Sequence, residues 1–268
     1  VGALMAAAAA WVIGKIALGL REDYLAIATL GIAEIIIAVL RNEDWLDRGV
    51  KNLIDIPRPW PVPKEVDLQS APGFLSWADS LGLNAGDTST ILVKLMYGAM
   101  FAVVLLALIW LTERALNSPW GRMVRAIRDN ENAAEAMGKD VKFRHLQIFI
   151  LGAAVVGLAG AMMTSMEGQL TPSSYVPLRF TFLIWVMVIV GGSGNNWGSV
   201  LGGLLIGWLY LAVEFLGPQL MDYITAGLPP GDLKDHLQDT AAQMRLLTLG
   251  AVLLIVMRFA PKGLIPEK

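Results

Sequence analysis

The sequence predicts an all-α fold, a polytopic transmembrane helix bundle of about seven spans. Three observations predict it. Residues of the AVILMFWYC set make up 55% of the 268-residue chain, and 27 glycines raise the apolar share to about 65%, against about 45–50% in a soluble domain. Mean hydropathy is +0.56. The apolar residues also gather into runs that approach the roughly 20 residues a helix needs to cross about 30 Å of hydrocarbon. The same composition excludes a disordered chain. A net charge of −2 leaves no basic field to hold nucleic acid. Zero cysteines remove disulfides and thiolate chemistry, and two histidines cannot supply a histidine metal cluster.

The expected spans are 2–20, 24–40, 91–112, 146–166, 179–193, 199–216 and 244–259. Lys15 and Lys94 lie near span ends, where a long side chain snorkels to the interface. Trp45, Trp110 and Trp120 also sit near ends, as interface anchors do. The run 179–193 is the shortest and could be partly re-entrant. All seven spans are expected to form a single transmembrane domain over 1–268.

The charges between the runs set the orientation. Segment 113–145 carries Arg114, Arg122, Arg125, Arg128, Lys139, Lys142 and Arg144, and the C-terminal tail adds Arg258, Lys262 and Lys268. Segment 41–90 is acidic, with Glu43, Asp44, Asp47, Asp55, Glu65, Asp67, Asp79 and Asp87, and 217–243 carries Asp222, Asp232, Asp235 and Asp239. By the positive-inside rule 113–145 and the C-terminus are cytoplasmic, while 41–90, 167–178 and 217–243 lie outside. Val1 is no initiator, and no basic region precedes the first apolar run as in a signal peptide.

Segment 113–145 is the most informative. Ser118 before Pro119 predicts a helix N-cap with proline at the first helical position, and Gly138 predicts the residue that ends the helix. Between them Trp120, Met123, Val124, Ile127, Ala134 and Met137 recur at three- and four-residue steps. Arg122, Arg125 and Arg128 project from other faces, and Asp129, Glu131 and Glu135 complete a mixed-charge surface. The pattern is one amphipathic helix over 118–138. An interfacial helix on the inner leaflet is the alternative. Acidic side chains would be repelled there by anionic lipid, and the Ala133–Ala134 pair favours close packing on protein, so a helix seated in a partner's groove fits better.

The runs Ser118-Pro119-Trp120-Gly121-Arg122, Arg125-Ala126-Ile127-Arg128-Asp129 and Glu131-Asn132-Ala133-Ala134-Glu135-Ala136-Met137-Gly138 resemble the cytoplasmic loop of the branched-chain amino-acid ABC-transporter permeases, in particular the LivM-type inner-membrane subunit. Further likeness runs from about residue 18 to 265 in family order. It includes Asp23-Tyr24-Leu25-Ala26-Ile27-Ala28-Thr29-Leu30, Ala33-Glu34-Ile35, Gly157-Leu158-Ala159-Gly160-Ala161, and Gly191-Gly192-Ser193-Gly194 with Trp197-Gly198 and Gly202. Arg258-Phe259-Ala260-Pro261-Lys262-Gly263-Leu264 ends the series. Segment 41–90 departs from it: Arg48-Gly49 to Pro57 follows the family only loosely, and Ile56-Pro57-Arg58-Pro59-Trp60-Pro61 opens a longer periplasmic stretch. The resemblance implies an ABC importer permease with a cytoplasmic coupling helix, no cofactor of its own, and ATP-Mg bound by a partner. It implies as partners a second, paralogous permease, two ABC ATPases, a periplasmic substrate-binding protein and the lipid bilayer, with no nucleic acid. Arg122, Arg125, Arg128, Glu131, Ala133, Ala134, Glu135 and Gly138 would couple the chain to its ATPase. Such permeases carry further spans before the part matching 18–40, so the chain is expected to lack its natural start.

Within the membrane, Glu34 stands midway along its span, where a carboxylate is expensive, at about 2.5–3.5 kcal/mol for Asp on insertion scales. It reads either as a pathway residue meeting a substrate ammonium or as a buried hydrogen bond to a neighbouring helix. Tyr24 and Thr29 carry the same two readings. On an ideal helix Thr29 and Glu34 point about 140° apart, so they share a face only if the helix breaks. Gly191, Gly192, Gly194 and Gly198 read as a tight mid-membrane joint between two helices, with Gly202, Gly203 and Gly207 allowing close approach. Gly152, Gly157, Gly160 and Ala161 read as packing residues too. The joint is no phosphate loop, since no Gly-Lys-Ser/Thr follows it, and Ser193 has neither His145 nor His236 placed as a base. The chain is therefore expected to be a transport subunit and not an enzyme. Rival readings are a permease for urea or short amides, and a secondary transporter or channel without an ATPase. The latter predicts inverted repeats, and no convincing halves are visible.

Overall fold

In a computed structural model the described residues are 1–20, 22–43, 45, 53–54, 56–171, 176–227, 231–232, 234, 237, 240 and 244–266. Asp44, Asp47, Arg48, Gly49, Asp55, Asp235, His236, Asp239 and Lys268, named above, lie outside them, as does the side chain of Asp23. Each expected span contains a helix, but the first helix stops at Ala17 and the fifth at Gly191, so 18–20 and 192–193 lie beyond them. The helices are α1 (Gly2–Ala17), α2 (Glu22–Asn42), α5 (Ala85–Leu116), α8 (Val141–Glu167), α9 (Pro177–Gly191), α10 (Asn196–Thr225) and α11 (Met244–Phe259). Between α2 and α8 come β1 (Leu53–Ile54), α3 (Glu65–Ser70), α4 (Pro72–Ser80), α6 (Pro119–Asp129) and α7 (Glu131–Ala136), and β2 (Gln169–Leu170) follows α8.

Among the described residues, four helices are long and apolar enough to cross a membrane: Tyr24–Asn42 of α2, and α5, α8 and α10. α1 and α11 have 16 residues each and α9 has 15, about 22–24 Å of helix, short of the roughly 30 Å hydrocarbon core. The long helices overrun their apolar runs because polar caps extend them past the hydrocarbon. Asn84 and Asp140 each accept from a backbone N–H in the first turn of α5 and α8, at 2.9 Å.

The chain divides into Val1–Ser174 and Tyr175–Lys268. In the first unit α1 lies along α8, and small residues set the distance. A Cβ on Gly157 would meet Ala6, and one on Gly2 would stand 2.8 Å from the Ala161 Cβ. Gly157 and Ala161 pack as expected. Gly152 and Gly160 face open space instead, since 3.6 residues per turn turns them to other sides of α8.

Segment 41–90 is more built than a connecting loop. β1 pairs antiparallel with β2, Leu53 opposite Leu170 and Ile54 opposite Gln169, so this segment and the 167–178 connection meet at one end of the unit. Val62 is buried with Val93 and Tyr97 of α5, and Leu68 of α3 packs on them. Gln69 donates to the Ser89 hydroxyl at 2.9 Å, and the Tyr97 hydroxyl donates to the Ser165 carbonyl at 3.0 Å, tying α5 to α8. Arg58 pairs with Glu65 at 2.6 Å. Burial pushes the Glu65 carboxyl up, but the Arg58 hydrogen bond and charge, aided by Lys94, outweigh it and hold the group below its usual value.

In the second unit α9, α10 and α11 enclose Val186, Val190, Ile206 and Leu249, with Phe182, Met187, Tyr210 and Val256 against them. Large apolar side chains stay exposed along every span, Trp208 at 70% and Leu254 at 71% among them. Such faces suit lipid or further helices, against which a leucine loses nothing.

Candidate functional site

The connection between α5 and α8 departs from a single helix over 118–138. Asn130, extended at φ −157° and ψ 97°, ends α6 and starts α7. Its side chain accepts from the Ala133 N–H at 2.9 Å, an N-cap that outcompetes helix continuation. Ser118 caps α6 as expected, and Pro119 follows at its first position. Gly138 adopts φ +77°, and the backbone N–H groups of Gly138 and Lys139 close the last turn of α7 on Glu135 and Ala134.

The break redistributes the stripe. Ile127, Ala134 and Val141 are buried together, with Met123 against them, whereas Met137 is 77% exposed. Ala134 therefore packs within its own chain, and Ala133 faces outward. Arg122, Glu131 and Glu135 are exposed. Arg128 pairs with Asp129 at 3.2 Å. Arg125 is half-buried and donates to the Leu116 carbonyl at 3.0 Å, capping the end of α5.

Two ties make the loop stiff. A Cβ on Gly121 would strike the Leu116 backbone, so only glycine lets α6 turn so sharply off α5. The Trp120 indole donates to Gln147 of α8 at 3.4 Å, and Arg144 donates to the same oxygen at 2.8 Å. Gly121 was within the motif but carried no pattern of its own to mark the tight turn.

The pathway candidates on α2 do not converge. The helix runs unbroken from Glu22 to Asn42, so Thr29 and Glu34 stay on different faces. Tyr24 is 61% exposed and Glu34 is exposed. The Thr29 hydroxyl donates to the Leu25 and Ala26 carbonyls at 2.9 and 3.0 Å, beside a cavity of about 300 Å³ lined by Gly14, Ala17 and Phe149. A larger cavity of about 450 Å³ between α5 and α8 is lined by apolar side chains, Met162, Met163 and Met166 among them, and offers nothing to a charged ligand.

The glycine joint is tight, and it gains a third strand of chain. Gly191, Gly192 and Gly198 are buried, and Gly194 is exposed at φ +99°. A Cβ on Gly191 would collide with the Gly198 carbonyl, and one on Gly202 with the Met187 carbonyl. Asn195 caps α10 by accepting from the Trp197 and Gly198 N–H groups at 2.9 and 3.2 Å. The tail after α11 then folds onto the joint: Leu264 N–H donates to Val190 O at 2.9 Å and Ile265 N–H to Gly191 O at 3.0 Å. Gly192, at φ +118°, and Gly263 meet backbone to backbone there. This places the joint at the end of the second unit that holds the C-terminal tail. Two family-like motifs, distant in sequence, thus form one structure.

A charged pair within the spans escaped the sequence reading. Glu214 of α10 pairs with Arg245 of α11 at 3.1 Å, and Arg245 also donates to the Tyr210 hydroxyl at 3.3 Å. The signal was available, a carboxylate inside an apolar run. Among the described residues no group of three or more His, Cys, Asp or Glu side chains could hold a metal ion.

The family model described as branched-chain amino acid transport system / permease component matches residues 1–257. The chain is 28% identical over 267 residues to the high-affinity branched-chain amino acid transport system permease protein LivM of Escherichia coli strain K12, covering 99% of this chain and 56% of that protein. It is 25% identical over 137 residues to the corresponding permease protein LivH of Salmonella typhimurium, covering 51% of this chain and 44% of that one. The fructose import permease protein FrcC of Rhizobium meliloti is 29% identical over 139 residues, 49% of this chain and 38% of its own length. The chain thus spans about half the length of the relatives it matches. No solved structure matches. These relatives are transport permeases and not enzymes, and a helical membrane fold with matching sequence over nearly its whole length means that the chain belongs to the permease-component family of branched-chain amino acid transport systems.

Proposed function

We propose that the chain is the permease subunit of an ATP-driven importer of branched-chain or similar hydrophobic amino acids. It sits in the inner membrane with 113–145 and the C-terminus in the cytoplasm. A second, paralogous permease completes the pathway, two ATPases hydrolyse ATP-Mg below it, and a periplasmic binding protein delivers the cargo. The observation that carries the reading is the α6–α7 loop. It offers Arg122, Glu131, Ala133 and Glu135 to a partner, with Arg128 beside them, while Gly121, Arg125 and Gln147 bind it rigidly to α5 and α8. A loop so tied passes a partner's movement to two long helices as rigid bodies, which is what alternating access requires. Ala134 supports the loop from inside, and Gly138 ends it.

The test reverses charge on the exposed face alone. With Glu131→Lys and Glu135→Lys together, the protein is expected to insert normally, lose at least tenfold of its co-purifying ATPase in mild detergent, and lose ATP-dependent uptake. Normal co-purification with normal uptake would overturn the reading. A carbohydrate cargo is the second reading, favoured by the likeness to the fructose permease. Uptake of labelled leucine challenged with excess unlabelled leucine, urea or fructose separates the cargoes, including the short-amide class.

A further inference from the structure

We propose that the cavity between α5 and α8 holds one acyl chain of a membrane phospholipid, bound as a fixed part of the transporter rather than as exchanging solvent. The proposal is independent of the cargo and rests only on the two helices crossing a bilayer.

The sequence sets up the space. Phe101, Leu105 and Leu108 follow at four- and three-residue steps and share one face of α5, while Leu158, Met162 and Met166 follow at four-residue steps and share one face of α8. These faces line the cavity of about 450 Å³. Ala102 and Ala159, also in the lining, are too short to fill it. The walls are fastened on either side of the gap. On one side the Tyr97 hydroxyl donates to the Ser165 carbonyl at 3.0 Å. On the other the Trp120 indole, just past α5, donates to Gln147 of α8 at 3.4 Å. Between these ties the lining side chains have no partner across the gap and forfeit its dispersion contacts.

Shape and chemistry choose the occupant. Phe101 to Leu108 is about 10.5 Å of helix and Leu158 to Met166 about 12 Å, so a volume of about 450 Å³ over that length is about 40 Å² in section. A helix with its side chains is about 10–12 Å across, twice that section or more, and does not fit. A free amino acid does not fit either, because its ammonium and carboxylate would face apolar side chains alone. Water is disfavoured for the same reason, since apolar cavities stay dry. A methylene chain is narrow and uncharged, and it belongs at this depth, as the lining falls inside the apolar runs 91–112 and 146–166. Methionines such as Met162, Met163 and Met166 are flexible enough to wrap a straight or a bent chain. The cavity is not sealed, which gives the chain an entry.

The test uses the complete transporter in membranes carrying a phospholipid with a photoreactive diazirine along one acyl chain. After washing in delipidating detergent and irradiation, peptide mapping is expected to find adducts on Leu105, Met162 and Met163. They are expected to exceed at least fivefold those on Val103, which is exposed on the opposite face of α5. No adduct in the cavity would overturn the proposal in favour of a protein segment filling the space, and equal labelling of Val103 would overturn it in favour of ordinary surrounding lipid. Ala102→Leu with Ala159→Leu fills the space and is expected to cut the retained adducts at least fivefold while the complex still assembles. Should that pair prevent assembly, Ala159→Leu alone is expected to cut them at least twofold. Returning phospholipid to the washed protein is expected to raise the Tm of the wild type more than that of the filled variant. Undiminished adducts in the filled variants, or an equal gain in Tm, would also overturn the site.

Discussion

At the residue scale, glycines within the apolar helices do opposite things. Gly191 and Gly202 have backbone where a Cβ would go, whereas Gly152 and Gly203 have nothing within 4 Å. Alanine at either of the first two forces the joint apart, an overpacking penalty of about 1–3 kcal/mol. Alanine at either of the second two is expected to be neutral or mildly stabilising, since glycine lowers helix stability by about 1 kcal/mol. Thermal unfolding in detergent, followed by tryptophan fluorescence, should show a clear loss of Tm for Gly191→Ala and Gly202→Ala and none for Gly152→Ala and Gly203→Ala. Sequence could name all four as small but could not sort them. Which glycine meets a neighbour depends on where the next helix lies, and no local pattern carries that. Glu214 illustrates the converse: the residue was legible, but its partner is 31 positions away on another helix.

At the element scale, the ends of helices decide more than their middles. The spans were readable because about 20 apolar residues in a row have few other uses. The break at Asn130 was not read, since Ala134 falls seven residues, two helical turns, after Ile127 and so stays on the same face of an unbroken helix, and only a side-chain cap interrupts it. The tail over 260–266 is the clearest case. Its N–H groups satisfy the last carbonyls of α9, which a helix leaves open. Ending the chain at Ala260 is therefore expected to lower the Tm of the second unit and expose the 192–195 turn to protease. Asn195→Ala, which removes only the cap on α10, should cost about 0.5–2 kcal/mol. Unchanged Tm and protease resistance in the truncated protein would show that the tail merely rests on the joint.

At the scale of the whole molecule, orientation is the property that the rest depends on. The pairing of β1 with β2 joins the two connections that the charge count places outside. These 268 residues hold no cysteine, so in a protein freed of any other, Ser76→Cys on α4 should react with a membrane-impermeant maleimide in intact spheroplasts, and Lys139→Cys after α7 only once the membrane is opened. The reverse pattern would invert the topology and remove the ATPase from the α6–α7 loop. By itself the sequence determined the membrane class, the helical segments, the charge asymmetry and the family, because these follow from composition, run length and contiguous motifs. Tertiary structure alone decided that the loop is two helices tied to α5 and α8, that Tyr24, Thr29 and Glu34 do not meet, and that the tail completes the glycine joint. It also set Arg245 against Glu214. Each of these is a contact between distant residues, and close approach in three dimensions leaves no periodic trace along the chain.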